Sequence, residues 1–384
     1  MGIEHSDFQA PGQYIRALLE ERGWTNRTLA IVLSADESGI NRLIADKRIM
    51  TIPLALMLGD VFGVPAEKFL ELQQKYELAK ARITARPDPS RAVRAQLFGG
   101  LPIAEMIKRG WLPGVDQVLD VPGVEAALAK FFGVASSDEI EILPHAAKKT
   151  LMFTEPTSAQ LAWLYRVKQI ASDMIVKPYS PDSAKIALDQ LSRLLRSAEE
   201  IRHVPRILDE CGIRLVIVEA LSATKIDGVC FWLNDRSPVI GLSLRHDRID
   251  NFWFVLRHEI EHVLRLHGRE PNVVMLDADL EDERAGTGTI VAEEERLANA
   301  AAAEFCVSKR MLESFIARKA PFFAEKDLLG FAKTIGVHPG LVAGQLGHHT
   351  GRYDRFRDHL VKIRSIIAPG SLVDGWGDVA PVES

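Results

Sequence analysis

The sequence predicts a multi-domain, mainly α-helical protein that contains one α+β region. Its 384 residues exceed the length of one ordinary compact domain. Helical periodicity with short turns dominates the chain up to about residue 200. Three short β-branched or aromatic runs bounded by turn residues then predict strands over 214–219, 229–233 and 239–243, and a strong helix follows them.

The composition is that of an ordinary globular protein, with 47% hydrophobic and 26% charged residues. The net charge is -5, so nucleic-acid binding would need a local basic face. There is no run of about 18 apolar residues and no apolar leader segment, so we expect no membrane span and a cytoplasmic location. The cysteines Cys211, Cys230 and Cys306 form no CxxC pair, and we predict buried thiols in a reducing compartment.

Changes in pattern along the chain predict five segments. A helical domain covers residues 1–83, and a linker over 84–100 contains two prolines and a Gly-Gly pair. A helical middle region covers 101–203. The α+β domain covers 204–367, and a tail rich in Gly, Pro and Asp over 368–384 is predicted to be disordered.

Capping residues predict two short helices joined by a tight turn near the N-terminus. Gly23 ends a first helix, Thr25 can cap a second over Asn26–Leu33, and Asp36 can cap a third. In helix-turn-helix proteins this arrangement places the later helix in the major groove of DNA. A helical bundle used only for dimerisation is the alternative.

Seven polar residues of this region are candidate DNA contacts. Those on the outer face of the third helix are Glu37, Ser38, Asn41 and Arg42. Those placed to contact phosphates are Arg27, Lys47 and Arg48. The acidic pair Asp36-Glu37 would repel the phosphate backbone, although Glu37 could accept a hydrogen bond from a cytosine amino group.

The N-terminal stretch closely resembles the Xre-type domain of HigA-family antitoxins. The features that carry the resemblance are Gly23-Trp24-Thr25, the RLI-x-x-K-R segment that ends at Arg48, and LQ-x-x-Y-x-L-A over residues 72–79. The resemblance implies an all-α, lambda-repressor-like helix-turn-helix domain. It also implies binding to double-stranded operator DNA as a homodimer.

A predicted helix ahead of Gly268, with Asp250 as its N-cap, carries the motif His258-Glu259-Ile260-Glu261-His262. The two histidines are four positions apart, so both imidazoles can project from one face and share a tetrahedral ion. Glu259 is adjacent and can take a proton from a water molecule that the ion acidifies. Two unrelated histidines on a surface helix are the alternative.

A third protein ligand is expected from the helix over residues 293–305. Glu293, Glu294 and Glu295 are all candidates, and acidic residues also suit a helix N-terminus. We favour Glu295, because Asn299 four positions later can brace one histidine through its second ring nitrogen. Neither of the other two glutamates has a polar residue at that spacing.

The remaining histidines have weaker signals. His267 is five positions after His262, off the ligand face, and is predicted to interact with the helix dipole. His246 could contact a substrate, whereas His338 and His348-His349 are typical of turns and helix ends. The segment 270–292 is long for a connection, which indicates a lid or an insertion.

The chain over residues 204–349 resembles the ImmA/IrrE family of metallopeptidases. The resemblance is carried by HEIEH, by E-x-x-A-N-A-x-A-A-E-F from Glu295 onwards, and by FAKTIGVHPGLVAGQLGHH. It implies a zincin fold, Zn2+ bound by His258, His262 and Glu295, and Glu259 as the base. Glu261 departs from the family pattern, which often has glycine there.

These observations predict a transcriptional regulator that binds DNA and carries a zinc metallo-endopeptidase domain. Its expected substrate is a protein partner such as a repressor or antitoxin, cleaved during a stress response. The alternative is an antitoxin-like repressor of a toxin–antitoxin module, whose peptidase-like domain is a catalytically silent sensor or scaffold. A RelE-like toxin would then be its partner.

Overall fold

The computed structural model describes residues 8–85, 90–140, 157–269, 275–278 and 293–381. Contacts divide the chain into two compact units, Met1–Pro89 and Ser90–Ser384. The described residues are mainly helical and include one small mixed sheet, as the coarse fold prediction expected. Among the helices described, none has both the length and the apolar character that crossing a bilayer requires.

The first unit is entirely helical over its described residues. Its helices are α1 (Pro11–Arg22), α2 (Asn26–Val32), α3 (Glu37–Ile44), α4 (Ile52–Phe62) and α5 (Ala66–Thr84). Their apolar faces meet in one core, in which the rings of Tyr14 and Phe69 are fully buried with their centroids 5.3 Å apart. This core fixes α1 and α5 against each other.

The predicted caps of α2 and α3 are confirmed. The Thr25 side chain accepts a hydrogen bond from the Thr28 amide at 3.1 Å, and Asp36 accepts one from the Gly39 amide at 2.5 Å. Gly23 ends α1 in the left-handed conformation, with φ of 65°. Helix α2 ends at Val32, one residue before the predicted end.

The second unit combines twelve described helices with five strands. Its helices are α6 (Ser90–Gly100), α7 (Ile103–Lys108), α8 (Val121–Phe132), α9 (Ser158–Asp173), α10 (Pro181–Leu194), α11 (Val204–Cys211), α12 (Ile249–Leu264), α13 (Glu293–Cys306), α14 (Lys309–Lys319), α15 (Glu325–Ile335), α16 (Pro339–Thr350) and α17 (Arg364–Ile367). Its strands are β1 (Arg214–Val218), β2 (Ile226–Trp232), β3 (Pro238–Leu242), β4 (Met275–Ala278) and β5 (Leu372–Asp374).

The five strands form one sheet in the order β4-β2-β3-β1-β5. Strand β1 pairs in parallel with β3 and β5, whereas β2 pairs antiparallel with β3 and β4. The three strands predicted from β-branched runs are confirmed, with bounds shifted by up to three residues. Strands β4 and β5 were not predicted.

Helices cover both faces of the sheet. Leu215 and Ile217 of β1 belong to a core shared with α10 to α12 and the later helices. Val216 and Val218 point to the opposite face, as alternation along a strand requires, and pack in a second core with helices α6 to α9. The sheet therefore lies between two layers of helices.

Two predicted boundaries change because of the second core. The segment 84–100, predicted as a linker, contains α6, whose Leu97 is 1% exposed and belongs to that core. The middle region 101–203 is not a separate domain, because its helices α7 to α9 cover one face of the sheet and its helix α10 packs on the other.

The predicted disorder of 368–384 is wrong for residues 368–381. Strand β5 lies there, and its Asp374 is fully buried. The Asp374 carboxylate forms a salt bridge with Arg166 of α9 and accepts a hydrogen bond of 2.9 Å from the Trp111 indole nitrogen. These buried polar contacts order a segment whose composition is typical of loops.

Candidate metal centre

Helices α12 and α13 bring together the three residues predicted as ligands. The Nε2 atoms of His258 and His262 are 3.0 Å apart. The Glu295 carboxylate lies 3.3 Å from His258 Nε2 and 3.6 Å from His262 Nε2. Both imidazoles are fully buried, and the Glu295 side chain is 18% exposed.

This cluster has the size that a divalent ion requires. Two ligand atoms about 2.05 Å from a tetrahedral ion lie about 3.4 Å from each other. All three candidate ligand atoms lie within 4.8 Å of one another, and the separations of 3.0 to 3.6 Å bracket the tetrahedral value. Two imidazoles and one carboxylate therefore fit a site that keeps a coordination position open.

Asn299 contacts the first histidine as predicted. Its Oδ1 atom lies 3.0 Å from His258 Nδ1, on the side of the ring that faces away from Glu295. The other glutamates of α13 have different surroundings. Glu293 is exposed and pairs with Arg296, and Glu294 approaches His267 rather than the cluster.

Glu259 is fully buried and faces strand β2. A carbon atom added to Gly228 at the Cβ position would lie 2.2 Å from Glu259 Oε1 and 2.8 Å from Val255 Cγ1. The absence of a side chain at Gly228 therefore makes the space that the carboxylate occupies. Sequence reasoning missed Gly228, because its importance depends on the pairing of α12 with β2.

The prediction for His267 is wrong in its details. Helix α12 ends at Leu264, and Leu266 adopts a left-handed conformation with φ of 61° that turns the chain back. His267 Nδ1 consequently lies 2.9 Å from His262 Nδ1. Burial lowers the pKa of His267 below its ordinary value. Helical spacing could not reveal this contact, because the residue lies beyond the helix.

The N-terminal cap predicted for α12 is also wrong. The helix begins at Ile249, so Arg248 occupies the cap position and Asp250 lies in the first turn. The Asp250 carboxylate accepts hydrogen bonds from Arg248 Nε at 3.1 Å and Nη2 at 2.6 Å. It also packs against Gly344 of α16. This pairing engages the carboxylate in place of the helix amides.

Glu261 is held between Arg257 of the same helix and Arg265, the residue that directly follows the helix. Arg257 Nη2 donates to it at 2.7 Å, and Arg265 Nε donates at 2.6 Å. Burial acts to raise the pKa of Glu261, but the hydrogen bonds from both arginines outweigh it and hold that pKa below its ordinary value. The buried carboxylate is therefore charged and paired.

The other histidines lie outside the three-residue cluster. His246 Nε2 is 3.8 Å from Asp227 Oδ1, at the loop that follows β3. His338 is the N-cap of α16, and His348-His349 lie in the last turn of that helix, as their sequence context predicted. The predicted lid at 270–292 lies outside the described residues, apart from β4.

Comparisons with protein-family models, with curated proteins and with solved structures return no match to this chain. The functional assignment must therefore rest on the residues themselves and on the motifs quoted above.

All seven candidate DNA contacts of the first unit are exposed. They are Arg27 on α2, Glu37, Ser38, Asn41 and Arg42 on α3, and Lys47 and Arg48 in the segment after α3. Most of those on and after α3 line one surface depression. Asn41 is also tied to α2, because its Oδ1 accepts a hydrogen bond of 2.8 Å from Asn26.

The acidic start of α3 is partly balanced by a nearby arginine. Arg48 Nη1 and Asp36 Oδ2 would each lie 2.7 Å from a carbon added at the Cβ position of Gly39. A guanidinium group therefore lies beside the first turn of α3, close to the Asp36 carboxylate. This reduces the negative charge that the pair Asp36-Glu37 presents to an approaching phosphate.

Proposed function

We propose that this chain is a DNA-binding regulator whose second unit is a zinc-dependent endopeptidase that cleaves a protein partner such as a repressor or antitoxin. The observation that carries the proposal is the convergence of His258, His262 and Glu295, with Glu259 buried on the adjacent helix position. Their spacing supports zinc, since two imidazoles and a carboxylate are a common catalytic zinc set. The resemblance to ImmA/IrrE peptidases, with a zincin fold, agrees with this assignment.

The roles of the residues follow from their positions. His258, His262 and Glu295 would hold the ion. Zinc, when bound, would acidify a water molecule and polarise the carbonyl of the bond to be cleaved. Glu259 would accept a proton at its carboxylate and return it to the leaving amine. Its burial against Gly228 would keep the carboxylate in one orientation.

A peptide substrate is supported by the position of strand β4. Asp277 of β4 lies opposite Gly228 in the antiparallel pairing, and Gly228 contacts Glu259. Strand β4 is the outermost strand on this side of the sheet that the structure describes. An extended peptide adding to that edge would lie about two strand spacings, or about 10 Å, from β2, the strand against which Glu259 packs.

DNA binding by the first unit is supported by α2 and α3, two capped helices joined by a short turn. A lambda-repressor-like domain would place the exposed face of α3 in the major groove. Ile49, Ile52 and Leu56 are 65%, 65% and 56% exposed. Since Ile52 and Leu56 share one face of α4, this apolar face supports a homodimer.

The Glu259→Gln variant of the full chain tests the peptidase proposal. The amide has the size of the carboxylate but cannot accept a proton, so we expect zinc content to stay at about one ion per chain while cleavage falls by at least about a hundredfold. Zinc is measured by elemental analysis. Cleavage is measured on repressors or antitoxins encoded beside this gene, as fragments resolved by mass spectrometry.

The His258→Ala variant is the matched control, because it should lose both zinc and cleavage. A wild-type protein that binds no zinc would overturn the metal assignment. Regulation of the partner that persists in the Glu259→Gln variant would instead favour the catalytically silent scaffold, with a RelE-like toxin as a candidate partner.

The Lys47→Ala variant tests the DNA proposal. A lysine that contacts a phosphate contributes to affinity at every sequence, so its loss should weaken operator binding and reduce the slope of log affinity against log salt by about 1. Fluorescence anisotropy over a range of salt concentrations measures both. The Lys75→Ala variant on α5 offers a control outside the α2–α3 surface. An unchanged salt slope in Lys47→Ala would remove that residue from the interface.

A further inference from the structure

The two histidines of the metal cluster have different second contacts. His258 Nδ1 meets the Asn299 amide, whereas His262 Nδ1 meets the ring of His267 at 2.9 Å. The other ring nitrogen of His267, Nε2, lies 3.9 Å from Glu294 Oε1. His267 therefore connects His262, by a hydrogen bond, with the Glu294 carboxylate, which lies at a distance longer than a hydrogen bond.

His267 is fixed by its backbone as well as by its ring. Its amide donates to the His262 carbonyl at 2.9 Å, and its carbonyl accepts a hydrogen bond of 3.0 Å from the indole nitrogen of Trp232 on β2. The left-handed turn at Leu266 precedes it. Its side chain is only 15% exposed. The imidazole is thus held against His262 by contacts from both α12 and β2.

The direction of the hydrogen bonds follows from the ligand role of His262. A neutral imidazole that uses Nε2 for a metal carries its hydrogen on Nδ1. His262 Nδ1 must then donate, and His267 Nδ1 must accept, because two ring nitrogens at 2.9 Å cannot both carry a hydrogen. His267 therefore carries its hydrogen on Nε2, which faces the Glu294 carboxylate.

We propose that His267 and Glu294 form a positioning pair that orients His262 for metal binding. This inference rests on the proposed metal site and adds two residues that are not ligands. The Glu294 carboxylate, 3.9 Å from Nε2, would favour the His267 tautomer that carries its hydrogen there, and His267 would fix the ring plane and tautomer of His262. Two adjacent residues of α13 would thereby act on the ion in different ways. Glu295 would bind it directly, and Glu294 would act on it through the imidazoles of His267 and His262.

The position of Glu294 supports this role. Its Oε2 atom is buried, and the residues that the structure describes give it no hydrogen bond. Glu293, one position earlier, is exposed and forms a surface pair with Arg296. Of these two neighbouring glutamates, Glu294 faces the ring of His267 and Glu293 does not.

Two variants of His267 separate hydrogen bonding from packing. In His267→Asn the side-chain oxygen can occupy the place of Nδ1 and accept from His262. His267→Leu has a similar size but no acceptor. We expect His267→Leu to weaken zinc binding by about tenfold to a hundredfold and His267→Asn to restore most of the affinity, as for other groups that contact a ligating histidine. Competition with a chromophoric chelator measures the dissociation constant of zinc in the full chain.

The contribution of Glu294 is tested by a double-mutant cycle. Glu294→Gln should weaken zinc binding by a few-fold in the wild-type background. The same change should have no effect in the His267→Leu background, because the connection to His262 is already broken. Glu293→Gln is the matched control on the same helix turn, and it should leave the zinc affinity unchanged in both backgrounds.

Three outcomes decide the proposal. Recovery of zinc affinity in His267→Asn but not in His267→Leu supports it, provided that the metal-free variants melt at the same temperature. Equal losses in both variants would show that His267 acts only through packing and would overturn the proposal. Wild-type affinity in His267→Leu would overturn it as well. If the wild-type chain binds no zinc, the proposed function fails first.

Discussion

At the scale of single residues, Gly228 is important because it has no side chain and so leaves space for Glu259 in the candidate site. It lies in the interior of β2, where glycine usually weakens a strand because it contributes no packing. Here the missing Cβ leaves room for the Glu259 carboxylate. The strand lacks a packing side chain at this position, and the Glu259 side chain lies against its backbone instead.

The Gly228→Ala variant should therefore reduce peptide cleavage more than zinc binding. The added methyl group would lie 2.2 Å from Glu259 Oε1, so the carboxylate must move, while the three ligand residues keep their places. We expect cleavage to fall by at least about tenfold. This is less than the loss of rate expected when a general base is removed altogether. Steady-state cleavage and zinc titration on the same samples measure the two effects.

Gly330→Ala provides the control for this change. Gly330 lies in helix α15, and a methyl group added there meets no atom within 4 Å. Alanine in a helix is more favourable than glycine by about 1 kcal/mol, so this variant should remain fully active. Cleavage by Gly228→Ala at the wild-type rate would show that Glu259 does not depend on the space at Gly228.

The sequence allowed some of these residues to be predicted and not others. His258, Glu259 and His262 follow from spacing within one helix, and Glu295 follows from the position of Asn299 one turn later. Gly228 and His267 act through contacts between elements. Such contacts depend on how β2 and the end of α12 pack, which no local pattern specifies.

At the scale of the elements, the N-terminus of α16 depends on a histidine cap. His338 Nδ1 accepts a hydrogen bond of 3.0 Å from the Gly340 amide, which requires the unprotonated ring nitrogen. Burial lowers the pKa of His338 below its ordinary value, and His359 lowers it further, while Glu199 acts in the opposite direction. The folded chain therefore binds this proton less readily than the unfolded chain.

This shift predicts a loss of stability in acid. The contribution of His338 is fully present above about pH 6.5, the ordinary pKa of histidine, and is lost as the pH falls through the lower pKa of the folded state. His338→Asn keeps an acceptor that does not titrate. Between pH 7.5 and pH 5 the wild type should lose about 1 kcal/mol more stability than the variant.

Urea denaturation of metal-free protein at both pH values measures this difference. The absence of metal matters, because protonation of ligand histidines would otherwise add its own pH dependence. Identical pH dependence in the wild type and in His338→Asn would contradict the cap assignment.

The predicted elements succeed where the local signal is strong. Strands β1, β2 and β3 are rich in β-branched and aromatic residues, and the caps of α2 and α3 form local hydrogen bonds. Helix α12 begins one residue before its predicted cap, because Asp250 pairs with Arg248. Strand β5 has only three residues, too few for a local strand pattern. It is held in place by its pairing with β1.

At the scale of the whole second unit, one buried ion pair joins distant parts of the chain. Arg166 is 5% exposed and Asp374 is fully buried. Arg166 also donates to the Ala380 carbonyl at 3.2 Å, and Trp111 donates to the Asp374 carboxylate. Residues near positions 111, 166 and 374 are thus held at one place beside β5.

The Asp374→Ala variant should destabilise this unit strongly. It would leave the Arg166 guanidinium buried without its carboxylate, which typically costs about 3–5 kcal/mol. Glu210→Ala is the control, because it removes an exposed pair with Arg206 that is worth at most about 1 kcal/mol. Urea denaturation followed by circular dichroism compares the two. Similar stability of both variants would show that the Arg166–Asp374 pair contributes little to the free energy of unfolding.

The sequence predicted the end of the first unit, near residue 83, better than the boundaries inside the second unit. The change from helical to strand periodicity near residue 214 is real, but it does not separate two domains. Helices α6 to α9 and the later strands bury their apolar residues in one shared core. Composition could not show this, because neither α6 to α9 nor the later strands have an unusual amino-acid content.

The Arg166–Asp374 contact has a consequence for dissecting the molecule. A fragment beginning at Val204 would expose the apolar face of the sheet that carries Val216 and Val218, and would remove the arginine that pairs with Asp374. Such a fragment should aggregate, although it retains all three candidate metal ligands. We therefore expect that a stable fragment carrying the candidate metal centre must begin near Ser90, where the second compact unit starts.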